Sequence, residues 1–441
     1  MSMRKVSFFT SAVLCLQLTT FGYEVAEVKS VLKRRLGQDQ GVAAVGVISK
    51  DSKQMFFHGS ANGDTIFELC SVTKVFTALL LADMTVKNEL DLYDPVNKLL
   101  GERAVTSKDL RLFHLATHTS GLPRSPADFT MKYSEQQLFE FLSNYSSPIT
   151  AGTKFKYSNL GFGLLGHALA LHSDTSYEQL VRDRICTPLQ MKDTRIRMSP
   201  AQSRRHANGH SSTGQKIPTR ELPVVYFGAG ALRTTMNDML KFLKANMAPK
   251  QSKLEQAINI THKPYLPSAI PDTRTGLAWN ITPTGLSTVV WHEGQIQSHY
   301  AFIGVDRKQG IGTVILSGSG IPLTDIGIHI LDSRQSISQS EVPPQGEFNA
   351  ADLSLESFVG QYKVKANYVI TVFVEDERLF SQASGMPKLE IVPISETQFN
   401  VKGFNIKMTF IKDQAGEITS LIVHQAGTEV KAQKQMQEPG M

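Results

Sequence analysis

Three cysteines in 441 residues are few, and what the chain lacks narrows its chemistry quickly. There is no C-x-x-C pair, so a zinc site of that type is excluded. Cys15 falls in an apolar N-terminal stretch, leaving Cys70 and Cys186, which are expected to be buried free thiols because nothing in the sequence brings their Cα atoms within bridging distance. No serine stands in a G-x-S-x-G frame, which removes the nucleophile elbow of the α/β-hydrolases. His114 and His118 are four apart on an expected helix but have no H-E-x-x-H acid between them, so the zinc-hydrolase reading is set aside and no metal is expected. Basic residues are scattered except at 33–35 and Arg204-Arg205, and the net charge is only +6, so no nucleic-acid partner is expected. Outside residues 6–18 no run is long and apolar enough to suggest a membrane span.

What is present begins with Arg4-Lys5 followed by VSFFTSAVLCLQL, the charge and length of a secretory leader, with Thr20 and Gly22 small enough for cleavage. We read 1–22 as a signal peptide and the protein as exported, periplasmic or secreted. The composition, 41% hydrophobic and 20% charged, is that of a globular protein with room for two or three domains. Alternating patterns predict a hairpin at 41–49 and 53–59, helices at 107–118, 134–143, 160–172, 176–185 and 235–246, and strands at 286–294, 300–306 and 312–318. Thr235 and Asp238 have the spacing of a capping box at the last helix. Two strands, many helices and three strands imply one sheet whose edges come from opposite chain ends. The polar, Pro-Pro-containing stretch 336–350 reads as a linker between a domain at 23–335 and another at 351–435. The second has short strands between turns, the pattern of a small antiparallel barrel or sandwich, in which His424 reads as a strand-surface residue.

Chemistry concentrates in three places. FELCSVTKVF (67–76) carries Ser71 and Lys74 at the mouth of an apolar helix. Ser-x-x-Lys also occurs at Ser2/Lys5 and Ser30/Lys33, but there in the leader and in a polar stretch. At 71–74 the pair shares one helix face at a helix N-terminus, where a buried lysine has a lowered pKa and can exchange a proton with serine. Taken alone, this is also the pattern of a capping serine with a snorkelling lysine. KFKYSNLGFG (154–163) holds the only Tyr-x-Asn among eleven tyrosines. Tyr157 is a useful base if a cation such as Lys74 depresses its pKa, and Asn159 can orient an amide; a packed tyrosine before a helix start is the bland alternative. VVWHEGQ (289–295) ends a strong strand, where Gly294 lets the backbone approach a ligand and the Gln295 N–H can donate to an oxyanion. His292 and Glu293 are then its polar tip.

In this order the three motifs, with HLATHTSGLP (114–123) and FGAGALRTTMNDMLKFL (227–243), resemble the penicillin-recognising serine hydrolases of the class C β-lactamase type. That group also holds D-alanyl-D-alanine carboxypeptidases, D-aminopeptidases and esterases. The resemblance covers most of 40–320, and the tail resembles the lipocalin-like barrel appended to some members. It implies an α/β fold, an antiparallel sheet flanked by helices with a helical subdomain, followed by the barrel. It also implies Ser71 as acylated nucleophile, Lys74 and Tyr157 as shared base, and Asn159 as substrate-positioning residue. The N–H groups of Ser71 and Gln295 would form the oxyanion hole, with no cofactor. His292 stands where many members have lysine. Glutamate beside it would repel a substrate carboxylate, which favours D-amino-acid peptides, amides or esters over β-lactams. A non-catalytic penicillin- or peptide-binding module is the alternative of another class. The expected partner is a small-molecule or peptide substrate, and the barrel is read as shaping access to the cleft or mediating self-association.

Overall fold

A computed structural model describes residues 25–337 and 353–435, except 38–40, 51, 102–108, 127, 212–213, 220, 248–251, 286, 366–367, 376–377, 385, 387, 394–395, 402–405, 414–415 and 426–427. The expected leader at 1–22 and most of the expected linker lie outside the described residues.

The strands Ala43–Ile48 and Lys53–His58 form the expected hairpin. They join Thr288–Gln295, Tyr300–Asp306 and Ile311–Ser317 in one antiparallel eight-stranded sheet. The chain ends meet inside this sheet rather than at its edges. Ala43–Ile48 pairs with Ile311–Ser317, and the two edges are Lys53–His58 and the two-residue strand Leu266–Pro267. Three short strands, Asn280–Pro283, Arg274–Thr275 and Leu266–Pro267, complete it and escaped the pattern reading.

Tyr300–Asp306 is buried at every position because both faces of the sheet are covered. Val290, Ile303 and Val314 face a large core shared with the helices Thr73–Val86, Asn159–His172 and Met236–Met247. Val289, Trp291, Phe302 and Ile315 face the opposite way, into a smaller core with the helices Val25–Leu36 and Thr324–Leu331. Thr235 caps the helix Met236–Met247 by accepting the Asp238 N–H at 3.2 Å. The box is not closed: the Asp238 carboxylate instead accepts the amides of Lys192, Asp193 and Thr194. The helix expected at 107–118 is only Leu112–Ala116 among the described residues, and 176–185 splits into Tyr177–Val181 and a wider turn at Arg182–Cys186.

The C-terminal strands close into an eight-stranded barrel, which excludes the sandwich. Gly360–Lys365 and Thr428–Lys434 supply its first and last strands and pair with each other, so no edge is left open. Eight strands leave an interior that side chains fill, here by Phe358, Tyr362, Phe399 and Phe410 in edge-to-face contact.

Candidate active site

Ser71 lies in a single tight turn, Cys70–Val72, that runs straight into the helix Thr73–Val86. Cys70 takes up the left-handed conformation, φ 48°, a backbone cost that β-carbon residues bear where the surrounding structure imposes it. Both Cys70 and Cys186 are buried free thiols, and burial pushes their pKa values up.

Lys74 is wholly buried one turn on, with Nζ 3.0 Å from Ser71 Oγ and 2.7 Å from the Ala229 carbonyl, to which it donates. No carboxylate pairs with it among the described residues. Burial, then the Arg124 charge, holds its pKa well below the usual lysine value. The Ala229 carbonyl is set by the turn Phe227–Gly230, which Thr77 fixes by donating to the Gly228 carbonyl at 2.7 Å. That turn packs flat on the helix Asn159–His172 because Gly166 and Gly228 are bare: a methyl on Gly166 would meet the Gly228 Cα at 2.8 Å.

Tyr157 completes the triangle, its phenol donating to Ser71 Oγ at 2.9 Å. Its ring lies under Lys74 Nζ at 5.0 Å and stacks on His118 at 4.3 Å. Burial raises the Tyr157 pKa, and the Arg124 charge offsets this only in part. The phenol is therefore protonated near neutral pH. The condition for Tyr157 as a base is a cation such as Lys74 depressing its pKa; Arg124 is the cation that lowers it, and burial outweighs that. Ser158 caps the following helix, and its own N–H is accepted by His118 Nδ1 at 3.1 Å. His118 thus buttresses Tyr157 rather than sharing a metal with His114. It lies past the helix end with φ 57°, so the four-residue spacing does not put the two rings on one face. No group of three or more His, Cys, Asp and Glu suited to a metal occurs among the described residues.

The strand Thr288–Gln295 brings Gly294 against the nucleophile: a methyl there would lie 2.4 Å from the Ser71 amide nitrogen. Gln295 is the exposed last residue of this strand, its side chain donating to the Gly320 carbonyl at 2.7 Å. His292 is buried, and burial, then the charge of Lys74, pulls its pKa to about 3. Glu293 does not join it. Strand alternation turns Glu293 to the other face, where it accepts from Tyr300 at 3.0 Å and from Thr324, and burial raises its pKa. The carboxyl is thus held on the far face of the strand, and its charge is still felt at Tyr157, whose pKa it helps to raise after burial. Three buried polar atoms on the residues of these motifs, His118 Nε2, Asn159 Oδ1 and His292 Nδ1, have no hydrogen-bond partner among the described residues. A substrate amide is the kind of group that satisfies the last two.

The sequence reading thus named Ser71, Lys74, Tyr157, Asn159, His292, Gly294 and Gln295, and distances bring Ser71, Lys74, Tyr157 and Gly294 together, while Asn159 starts the helix after Tyr157 and His292 and Gln295 lie on the strand of Gly294. It did not single out Ala229, Arg124 or the buttressing role of His118. Their proximity arises from contacts 33 to 155 residues apart in sequence, as in Lys74 with Ala229 and Tyr157 with Arg124 or His118.

Comparison with known proteins agrees with this geometry. The Beta-lactamase family model matches residues 28–325, and a domain of unknown function, DUF3471, matches 346–439. A Pseudomonas fluorescens protein named Beta-lactamase is 28% identical over 345 residues, covering 68% of this chain and 95% of its own. An Escherichia coli protein named D-alanyl-D-alanine-carboxypeptidase/endopeptidase AmpH is 32% identical over 192 residues, 41% of this chain and 49% of its own. A solved class C beta-lactamase superposes with TM-score 0.64 at 22% identity, over 71% of this chain and 96% of that one.

Proposed function

Since the chain belongs to the beta-lactamase family of serine hydrolases, we propose that it is an exported enzyme that hydrolyses D-amino-acid peptides, amides or esters through an acyl-Ser71 intermediate. The observation that carries this reading is Ser71 Oγ held by both Lys74 Nζ and the Tyr157 phenol. Lys74, whose pKa burial lowers, takes the serine proton through the lone pair of its neutral form while an N–H stays on the Ala229 carbonyl. Tyr157, protonated, is suited to pass a proton to the leaving group and to be refilled from Lys74. The amides of Ser71 and Gln295 serve as oxyanion donors, a role supported by the close approach of Gly294 to the Ser71 nitrogen. Asn159 Oδ1 and His292 Nδ1 take substrate polar groups. Water then deacylates the enzyme by the same proton path in reverse. No cofactor enters this scheme. For the export part of the reading, the support is the leader-like N-terminus; no helix of the described residues is long and apolar enough to cross a membrane.

β-Lactam hydrolysis is a second reading, favoured by one observation: the Glu293 carboxyl is turned to the other face of the strand, where Tyr300 and Thr324 donate to it. Hydrolysis of p-nitrophenyl acetate by the mature protein beside Ser71→Ala tests the first reading. Turnover that vanishes in the variant supports it, and equal turnover removes Ser71 as nucleophile. Background rates in both leave a binding module as the leading idea. Hydrolysis of a chromogenic cephalosporin at a rate above that of a D-alanyl thioester selects the second reading.

A further inference from the structure

An anionic substrate calls for a cation, and two basic side chains of the site do not supply one. Lys74 is wholly buried and occupied by Ser71 and Ala229. His292 is uncharged at neutral pH. Arg124 is different. It is exposed, its guanidinium carbon lies 5.2 Å above the Tyr157 ring, and among the described residues no carboxylate pairs with it.

Its backbone is fixed beside the catalytic turn. The Arg124 carbonyl accepts the N–H groups of Asn159 and Leu160, each at 3.1 Å, and the neighbouring Pro123 carbonyl accepts the Ser158 hydroxyl at 2.6 Å. The guanidinium lies over the Tyr157 ring with no hydrogen-bond acceptor for it among the described residues, and its forked N–H groups are the kind that grip a carboxylate in bidentate fashion. Tyr157 is the group placed to protonate the departing atom, so a cation on its ring stands on the leaving-group side.

We propose that Arg124 is the specificity-determining residue that binds a carboxylate carried by the leaving group, so that the enzyme prefers acyl donors whose departing half is anionic, such as a C-terminal D-amino acid. This rests on the acyl-Ser71 reading and names the substrate class for it. Phe129 and Tyr133, packed on Tyr226 next to this segment, give the neighbouring wall an apolar character, which leaves Arg124 to supply the charge recognition there.

A matched pair of thioesters tests it: N-acetyl-D-alanyl thioglycolate, whose leaving thiol bears a carboxylate, and the corresponding thioglycolamide. In each, the Ser71 Oγ–carbonyl bond forms, the C–S bond breaks, and the serine proton leaves with the thiol, which is then counted. Wild type is expected to favour the anionic donor in kcat/KM by roughly 10- to 100-fold, the usual worth of a charged hydrogen bond. Arg124→Gln brings that ratio near one, mainly through KM, and Arg124→Lys retains part of it. Equal losses on both donors, with the pH profile of kcat/KM displaced and the ratio intact, would mean that Arg124 only tunes Lys74 and Tyr157, and would overturn the proposal. A wild-type ratio near one overturns it as well. Ser71→Ala run in parallel separates the two levels. If it hydrolyses both donors like wild type, the acyl-Ser71 reading falls; if hydrolysis requires Ser71 and the ratio ignores Arg124, only the present inference falls.

Discussion

The barrel and the sheet domain handle buried polarity in opposite ways. In the barrel the Tyr362 hydroxyl donates to the Phe358 carbonyl at 2.8 Å, and no buried side-chain polar atom of its described residues lacks a partner. Around Ser71 a lysine is buried with no counter-ion among the described residues, and Asn159 Oδ1 and His292 Nδ1 have no hydrogen-bond partner among them. Burying a polar group without a partner costs about 1–3 kcal/mol. The barrel avoids that cost and is a unit of stability. The site bears it, and what remains unsatisfied is what a substrate can satisfy.

The strongest way to break this contrast is to make the site resemble the barrel. Lys74→Met keeps the volume and removes the amine, and kcat/KM for p-nitrophenyl acetate should fall by roughly 10²–10⁴, the usual contribution of a general base. The thermal midpoint should not fall. A lysine whose folded pKa lies below its unfolded value costs stability at every pH below the unfolded value, so removing it relieves that cost at neutral pH. A large loss of stability measured by calorimetry would instead make Lys74 a structural residue. The same pKa direction fixes the pH profile. Because the neutral amine is the base, kcat/KM should rise with pH through the lowered Lys74 pKa and level off well below the normal lysine range, and a rise deferred to that range would contradict it.

Gly294→Ala comes next. The added methyl would strike the Ser71 amide, and displacing the nucleophile by a fraction of an ångström to about 1 Å should cost on the order of 10² in kcat, read by single-turnover kinetics. The smallest effects sharpen the comparison from the other side. Phe399→Ala should destabilise the barrel by about 3–5 kcal/mol in denaturant melts while esterase activity at low temperature stays within about twofold. Glu293→Gln should change kcat/KM by less than about threefold, since its carboxyl faces Tyr300 and Thr324; a large gain for anionic substrates would bear out the repulsion argument.

Local spacing made much of this site legible. Ser71 and Lys74 share one helix turn, Tyr157 and Asn159 one helix start, and His292 and Gly294 one strand end. Glu293 was misplaced although strand alternation decides its side. The stretch Val289–Val290–Trp291 is apolar throughout because both faces of the sheet are buried, so the sequence showed no polar contrast to reveal the period. In the fold, Val28, Val31, Leu32 and Leu36 do repeat at helical spacing, and the helix Val25–Leu36 was there to be found. The strands Ile66–Glu68 and Arg233–Thr235 are three residues each and carry no period at all. The barrel strands Gly360–Lys365 and Thr428–Lys434 are mostly polar, and their pairing became evident only on closure. Arg124 and Ala229 had no local signal, since each acts through a contact made by the folded chain.

The most direct test of the central claim is to find the acyl group. Mature protein is mixed with p-nitrophenyl acetate, quenched in acid during turnover, digested and mapped by mass spectrometry. The account predicts one acetyl group on the peptide containing Ser71, assigned to the Ser71 side chain and missing from Ser71→Ala. Acetyl found instead on Lys74, Tyr157 or another serine, with Ser71 unmodified during active turnover, would contradict it.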